Sequence, residues 1–178
     1  MNPDELLQPK EKKVITRVAK LSLLAGVAFF YSFVVFNNLT DFNSNYQLVR
    51  HVLMMDTTFP GNHGMWRALT SPAADYSFYI AIIVWEIVTA ILLWLGCVAL
   101  SRAIRCPALN FEAAKRIPVI ALTLSLLMWL VAFISVGGEW FLMWQSHAWN
   151  GEETAFRDFT MVGIVLLVFM FPERDLQS

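Results

Sequence analysis

The chain has 178 residues, 57% hydrophobic and 15% charged, with mean hydropathy +0.55 and formal net charge −1. A soluble domain carries about 25% charged residues, so the composition excludes an ordinary water-soluble globule and points to a protein embedded in lipid. The near-zero charge leaves no basic footprint for nucleic acid, and none is expected as a partner.

Crossing a bilayer takes about 20 mostly apolar residues. Four stretches approach that length, at residues 18–36, 77–100, 118–138 and 153–171. The expected fold is therefore all-α: one integral domain over 1–178, a four-transmembrane-helix bundle. Ahead of the first span runs PKEKKVITRVAK, basic like the start of a signal peptide. The apolar run that follows passes straight into NNLTDF with no small-x-small site, so an uncleaved anchor is expected.

Residues 37–76 form a first loop of about forty residues, long enough to hold structure of its own. Within it, NYQLVRHVLMMD places Leu48, His51 or Val52, and Met55 at helical spacing. That pattern predicts a short amphipathic helix on the outer membrane surface. TTFPGNHG breaks it, and MWRALTSP makes one more turn before Pro72. The second span, SFYIAIIVWEIVTAILLWLGCVAL, is apolar except for Glu86 near its middle. After the third span comes GGEWFLMWQSHAWNGEE, which with the first loop is expected to build a helical and irregular outer cap. The last apolar run, Phe159 to Phe171, covers only about 20 Å of helix. The fourth helix should therefore start near Glu152 or Glu153 and carry Arg157 and Asp158 below the surface.

Orientation follows from Lys and Arg. Lys10, Lys12, Lys13, Arg17 and Lys20 precede or open the first span, and Arg102, Arg105, Lys115 and Arg116 follow the second. Arg50 and Arg67 lie in the first loop, and Arg157 in the third. The positive-inside rule puts both termini in the cytoplasm. Trp66, Trp140, Trp144 and Trp149 then fall on the outer side as an interfacial belt. Cys97 and Cys106 fall on the reducing side, so no disulfide is expected.

Three features together resemble a known family: the four-helix layout with a long first outer loop, the block HVLMMDTTFPGN…WRAL from His51 to Leu69, and the intramembrane pair Trp85–Glu86. The chain is similar to the bacterial family of predicted small integral membrane proteins designated domain of unknown function 2165. The resemblance implies a bacterial inner-membrane location. It brings no catalytic residues with it.

Glu86 lies nine residues past Ser77, about 13 Å below the expected outer boundary. A central acidic group costs about 2.5–3.5 kcal/mol to insert, so it should face the bundle and have a partner. Arg157 is the expected partner, in a buried ion pair that clasps two helices or, in the other reading, serves a proton or ion relay. Asn37, Asn38, Glu139 and Asp158 are further polar candidates near the outer ends. His51, Met54, Met55, His63 and His147 offer soft and borderline metal ligands on that side, although a Met in an amphipathic helix is more often an apolar anchor. No span contains histidine, which removes bis-His haem ligation. H-E-x-x-H and G-x-S-x-G are both missing, so no catalysis and no cofactor are expected. The aromatic-rich helices suggest a non-catalytic accessory or assembly subunit of an inner-membrane complex, packed against other subunits or a second copy in the lipid bilayer. Two alternatives stay open: a small transporter or channel working through Glu86, and periplasmic metal handling.

Overall fold

The computed structural model of the chain describes residues 9–173. Residues 1–8 and 174–178, which the single-domain expectation includes, lie outside the described residues. Among the described residues the chain is helical with no strand. Its helices are α1 (Pro9–Thr40), α2 (Phe42–Met54), α3 (Pro72–Ala103), α4 (Ala108–Ala114), α5 (Arg116–Leu127, continued as a π-helix over Met128–Trp140) and α6 (Glu152–Met170). Single 3-10 turns at Met65–Arg67 and Met143–Gln145 interrupt the loops.

Among the described residues, three helices are long and apolar enough to cross a membrane: Glu11–Thr40, Pro72–Ala103 and Ala108–Trp140. α1 and α3 each run to 32 residues, about 48 Å, so helix continues past the apolar runs that set the expected spans. Their ends continue as helix through polar flanks that keep the intrahelical ladder. α6 falls short on composition: Glu152, Glu153, Arg157 and Asp158 crowd its first seven residues.

α1 packs on α3, α3 on α5, α5 and its π continuation on α6, and α6 back on α1. The ring encloses a core that includes Leu24, Tyr31, Leu93, Leu122, Trp129, Val162 and Phe169. At Gly96, α3 approaches its neighbours closely: a Cβ there would meet Pro118 Cγ at 3.0 Å and Leu24 Cδ2 at 3.3 Å.

The two ends differ in chemistry. At the end where α1 begins and α6 finishes, Arg17 Nε donates to Glu173 Oε2 (3.2 Å), its Nη1 donates to the Ile104 and Cys106 carbonyls (3.1 and 2.6 Å), and the guanidinium lies over the Phe111 ring. Lys20 Nζ reaches Glu173 Oε1 at 2.7 Å, and Lys20 and Lys115 both donate to Phe171 O beyond the end of α6. Arg17, Lys20 and Lys115, which in the sequence only mark topology, are thus buried fasteners. At the other end the two long loops interlock. Thr57 Oγ1 donates to Ser146 Oγ (2.7 Å), Phe59 N to Gln145 Oε1 (3.1 Å) and Arg67 Nη1 to Trp140 O (2.9 Å). Gly61 turns the first loop at φ +79°, a conformation glycine adopts without strain.

Candidate functional site

The predicted amphipathic helix exists as α2, and it folds against α3 and α1. Its Tyr46 joins Tyr79 and Ile83 in a small cluster, with Phe42 at 4.7 Å from the Tyr79 ring. Burial pushes the Tyr46 hydroxyl above the usual phenol range, helped by the neighbouring Tyr76. This cluster roofs a polar network on α1 and α3.

Asn38 is the hub of that network. Its Oδ1 accepts from Tyr79 Oη (3.0 Å) and from Asn45 Nδ2 (2.6 Å), which orients the amide so that Nδ2 donates to Glu86 Oε2 at 2.5 Å. Asn38 is 4% exposed and Glu86 2% exposed, so both depend on these bonds for the hydration they have lost. Glu86 Oε1 takes no part in the network, and the carboxyl lines a cavity of about 360 Å3. Asn38, Tyr79, Asn150, Thr154, Arg157 and Asp158 share that wall.

The expected ion pair is not formed. Glu86 is held by the neutral Asn38, and Arg157 turns to its neighbour Asp158, with Nε–Oδ1 at 3.0 Å. Arg157 is 67% exposed at its side chain, whereas Asp158 is 4% exposed. The reason is a vertical offset between helices. Asn38 lies in the last turn of α1, just past the apolar run that ends at Phe36, so Glu86 meets α1 at its end. α3 begins five residues before Ser77 and stands proud of α1, with α2 filling the step. Glu86 is about 21 Å from the start of α3, yet level with the rim of its neighbour. The cavity brings Glu86, Asn38, Asp158 and Arg157 together; Asn37 and Glu139 are exposed and lie outside it.

Of the candidate metal ligands, His51 and Met55 are engaged elsewhere. His51 Nδ1 is 2.7 Å from Asp56 Oδ2, and its ring stacks on Trp149 at 4.6 Å. Met55, in left-handed backbone at φ 54°, is buried with Leu53 and Phe141, Met54 is half-buried, and His63 and His147 are exposed. Among the described residues, no group of three or more His, Cys, Asp or Glu is placed to hold a metal ion.

On the other side of Leu48, Val49, Ile82 and Phe133, a second cavity of about 250 Å3 is lined by apolar side chains of α2, α3 and the π-helix. Nothing in the sequence singled it out. Toward the termini, by contrast, Leu24, Val27, Leu93, Leu100, Leu122 and Val162 fill the bundle.

Long apolar helices ringed around a sealed core, with a polar pocket under a loop cap, define an integral membrane protein. The chain belongs to the family described as predicted small integral membrane protein (DUF2165), whose model matches residues 16–172. No curated protein and no solved structure matches the chain.

Proposed function

We propose that this protein is a non-catalytic binding subunit of the bacterial inner membrane, with four spans, both termini cytoplasmic and the Glu86 cavity open to the periplasm. The observation that carries the reading is a buried carboxyl with no cationic partner among the described residues, on a cavity at one end of a bundle whose core toward the other end is closed by packed side chains such as Leu24, Leu93, Leu100, Leu122 and Phe169. A through-path for ions needs polar groups along the whole span; here the cavity reads as a one-sided receptor.

Two further arguments support the membrane arrangement. α6 completes the ring through Ala155, Val162, Val165 and Phe169, so it belongs in the same layer as its neighbours despite its charged first turns. Nine of the thirteen Lys and Arg residues lie at or before Lys20 or between the second and third spans, which favours the cytoplasm for that end. As an accessory subunit it would use its lipid-facing aromatic residues, such as Phe29, Phe33 and Phe36, for contact with other membrane helices.

The test is labelling from each face. With Cys97 and Cys106 replaced, Asn150→Cys or Thr154→Cys should react with a membrane-impermeant maleimide from the periplasmic side only. A reporter after Ser178 should read as cytoplasmic. Labelling from the cytoplasmic face, or ion flux in proteoliposomes abolished by Glu86→Gln, would replace the receptor reading with transport. Native mass spectrometry after mild lipid extraction should recover the chain with a partner, and a lone monomer would remove the subunit role.

A further inference from the structure

The polar cavity around Glu86 and the apolar cavity beside it share Leu48, Val49, Ile82 and Phe133 as a common wall. One compartment presents carboxylates, an amide network and a phenol; the other presents hydrocarbon, ring faces and the Met143 thioether. We infer that together they form the binding site of a lipophilic amine, with its ammonium against Glu86 and its apolar chain or ring in the neighbouring slot, the side chains of the shared wall turning aside to let the chain pass. The inference rests on the one-sided receptor reading and names its ligand class.

Charge selects the head. Glu86, 2% exposed, has one donor, the neutral Asn38, and the only cationic side chain on the cavity wall, Arg157, is taken by Asp158. A bound ammonium supplies the counter-charge that the fold withholds, donating to the Glu86 oxygen that the network leaves open. An anionic head would meet Glu86 and Asp158 with Arg157 already paired, and a neutral head would leave Glu86 uncompensated. Trp129 and Phe133 add ring faces, which attract a cation.

Volume selects the tail. An apolar cavity of about 150 Å3 takes a benzene ring, so 250 Å3 accommodates a larger ring or a short alkyl chain. That slot lies among α2, α3 and the π-helix, and it carries no acid, base or amide side chain. A hydrophilic cation such as a free metal ion or a polyamine gains nothing from it.

The experiment measures equilibrium binding of octylamine, 1-octanol and octanoate to the full chain in nanodiscs, against empty discs. Octylamine should bind saturably, 1-octanol more weakly, and octanoate no better than to empty discs. Glu86→Gln should weaken octylamine by about tenfold or more, the loss of a charge-assisted contact, and leave 1-octanol unchanged. Ala132→Phe, which fills the apolar slot while leaving Glu86 untouched, should weaken both. Equal binding of octylamine and 1-octanol to the wild type, or octylamine binding indifferent to Glu86→Gln, overturns the amine assignment. Should Glu86→Gln fail to fold, Asp158→Asn takes its place with the same discrimination expected. Failure here with periplasm-only labelling of Asn150→Cys intact removes the ligand class alone; labelling from the cytoplasm removes the receptor reading itself.

Discussion

Replacing Asn38 by leucine tests whether the polar network, and not an ion pair, holds Glu86. The substitution keeps the side-chain branching and heavy-atom count and deletes three hydrogen bonds at once: those from Tyr79 and Asn45, and the one to Glu86. Asn45 is exposed and regains water, but Tyr79 and Glu86 are 1% and 2% exposed and do not. Polar contacts in membranes average about 0.6 kcal/mol each, and a stranded buried group costs about 1–3 kcal/mol. With two groups stranded, Asn38→Leu should therefore lose about 2–6 kcal/mol. Tyr79→Phe should lose only about 0.6 kcal/mol, because Asn38 Oδ1 still accepts from Asn45. Reversible unfolding in mixed micelles, read by near-UV circular dichroism, gives both values. A double-mutant cycle completes the test: Asn38 and Glu86 should couple by about 0.6–1.7 kcal/mol, and Glu86 and Arg157 by no more than about 0.5 kcal/mol. Asn38→Leu no worse than Tyr79→Phe, or a large Glu86–Arg157 coupling, would refute the hub.

Two predictions concern the rest of the bundle. Burial raises the Glu173 carboxyl, but Lys20 and Arg17 outweigh it and hold the group below the usual carboxylate range. Its folded value being depressed, the stability it contributes is present above the ordinary carboxylate value of about 4.3 and lost as pH falls through the folded value. Wild type should thus lose thermal stability on acidification below about pH 4 more steeply than Glu173→Gln; equal slopes would discount the clasp. Gly96→Ala presses a methyl to about 3.0 Å from the rigid Pro118 ring, an overpacking that costs about 1–3 kcal/mol. Gly26→Ala meets nothing within 4 Å and gains the helix propensity of alanine. Both gain that propensity, so their difference isolates the contact, and equal stabilities would mean α3 and α5 are not packed there.

Much of the architecture was legible from residue order. Composition and run length identified an all-helical membrane chain, but α2 stops at Met54 with Met55 in left-handed backbone, ahead of the expected Pro60–Gly61–Gly64 break, and α3 opens at Pro72, five residues before the expected Ser77. α2 also appeared where its periodicity placed it, though Tyr46 and Leu53 are its buried residues, not Leu48. A surface helix is read with one apolar stripe, and α2 is wedged between α3 and the interlocked loops, so it buries more than one side. The π-helix over Met128–Trp140 had no signal, because a segment apolar on nearly every side reads alike whether its bonds close at i+4 or i+5.

The site itself was decided by tertiary structure. That Glu86 needed a partner followed from sequence, since a carboxyl cannot be left bare among hydrocarbon side chains. Its partner did not, because counting residues down each span assumes helices that start flush at one plane. α3 begins earlier than its apolar run and stands above α1, which sets Glu86 opposite Asn38 and leaves Arg157 to Asp158. Sequence patterns record how polar each residue is and how far it lies along its own helix. The offset between helices is fixed by side-chain interlock, such as Gly96 against Pro118, and it exists only once the helices have packed.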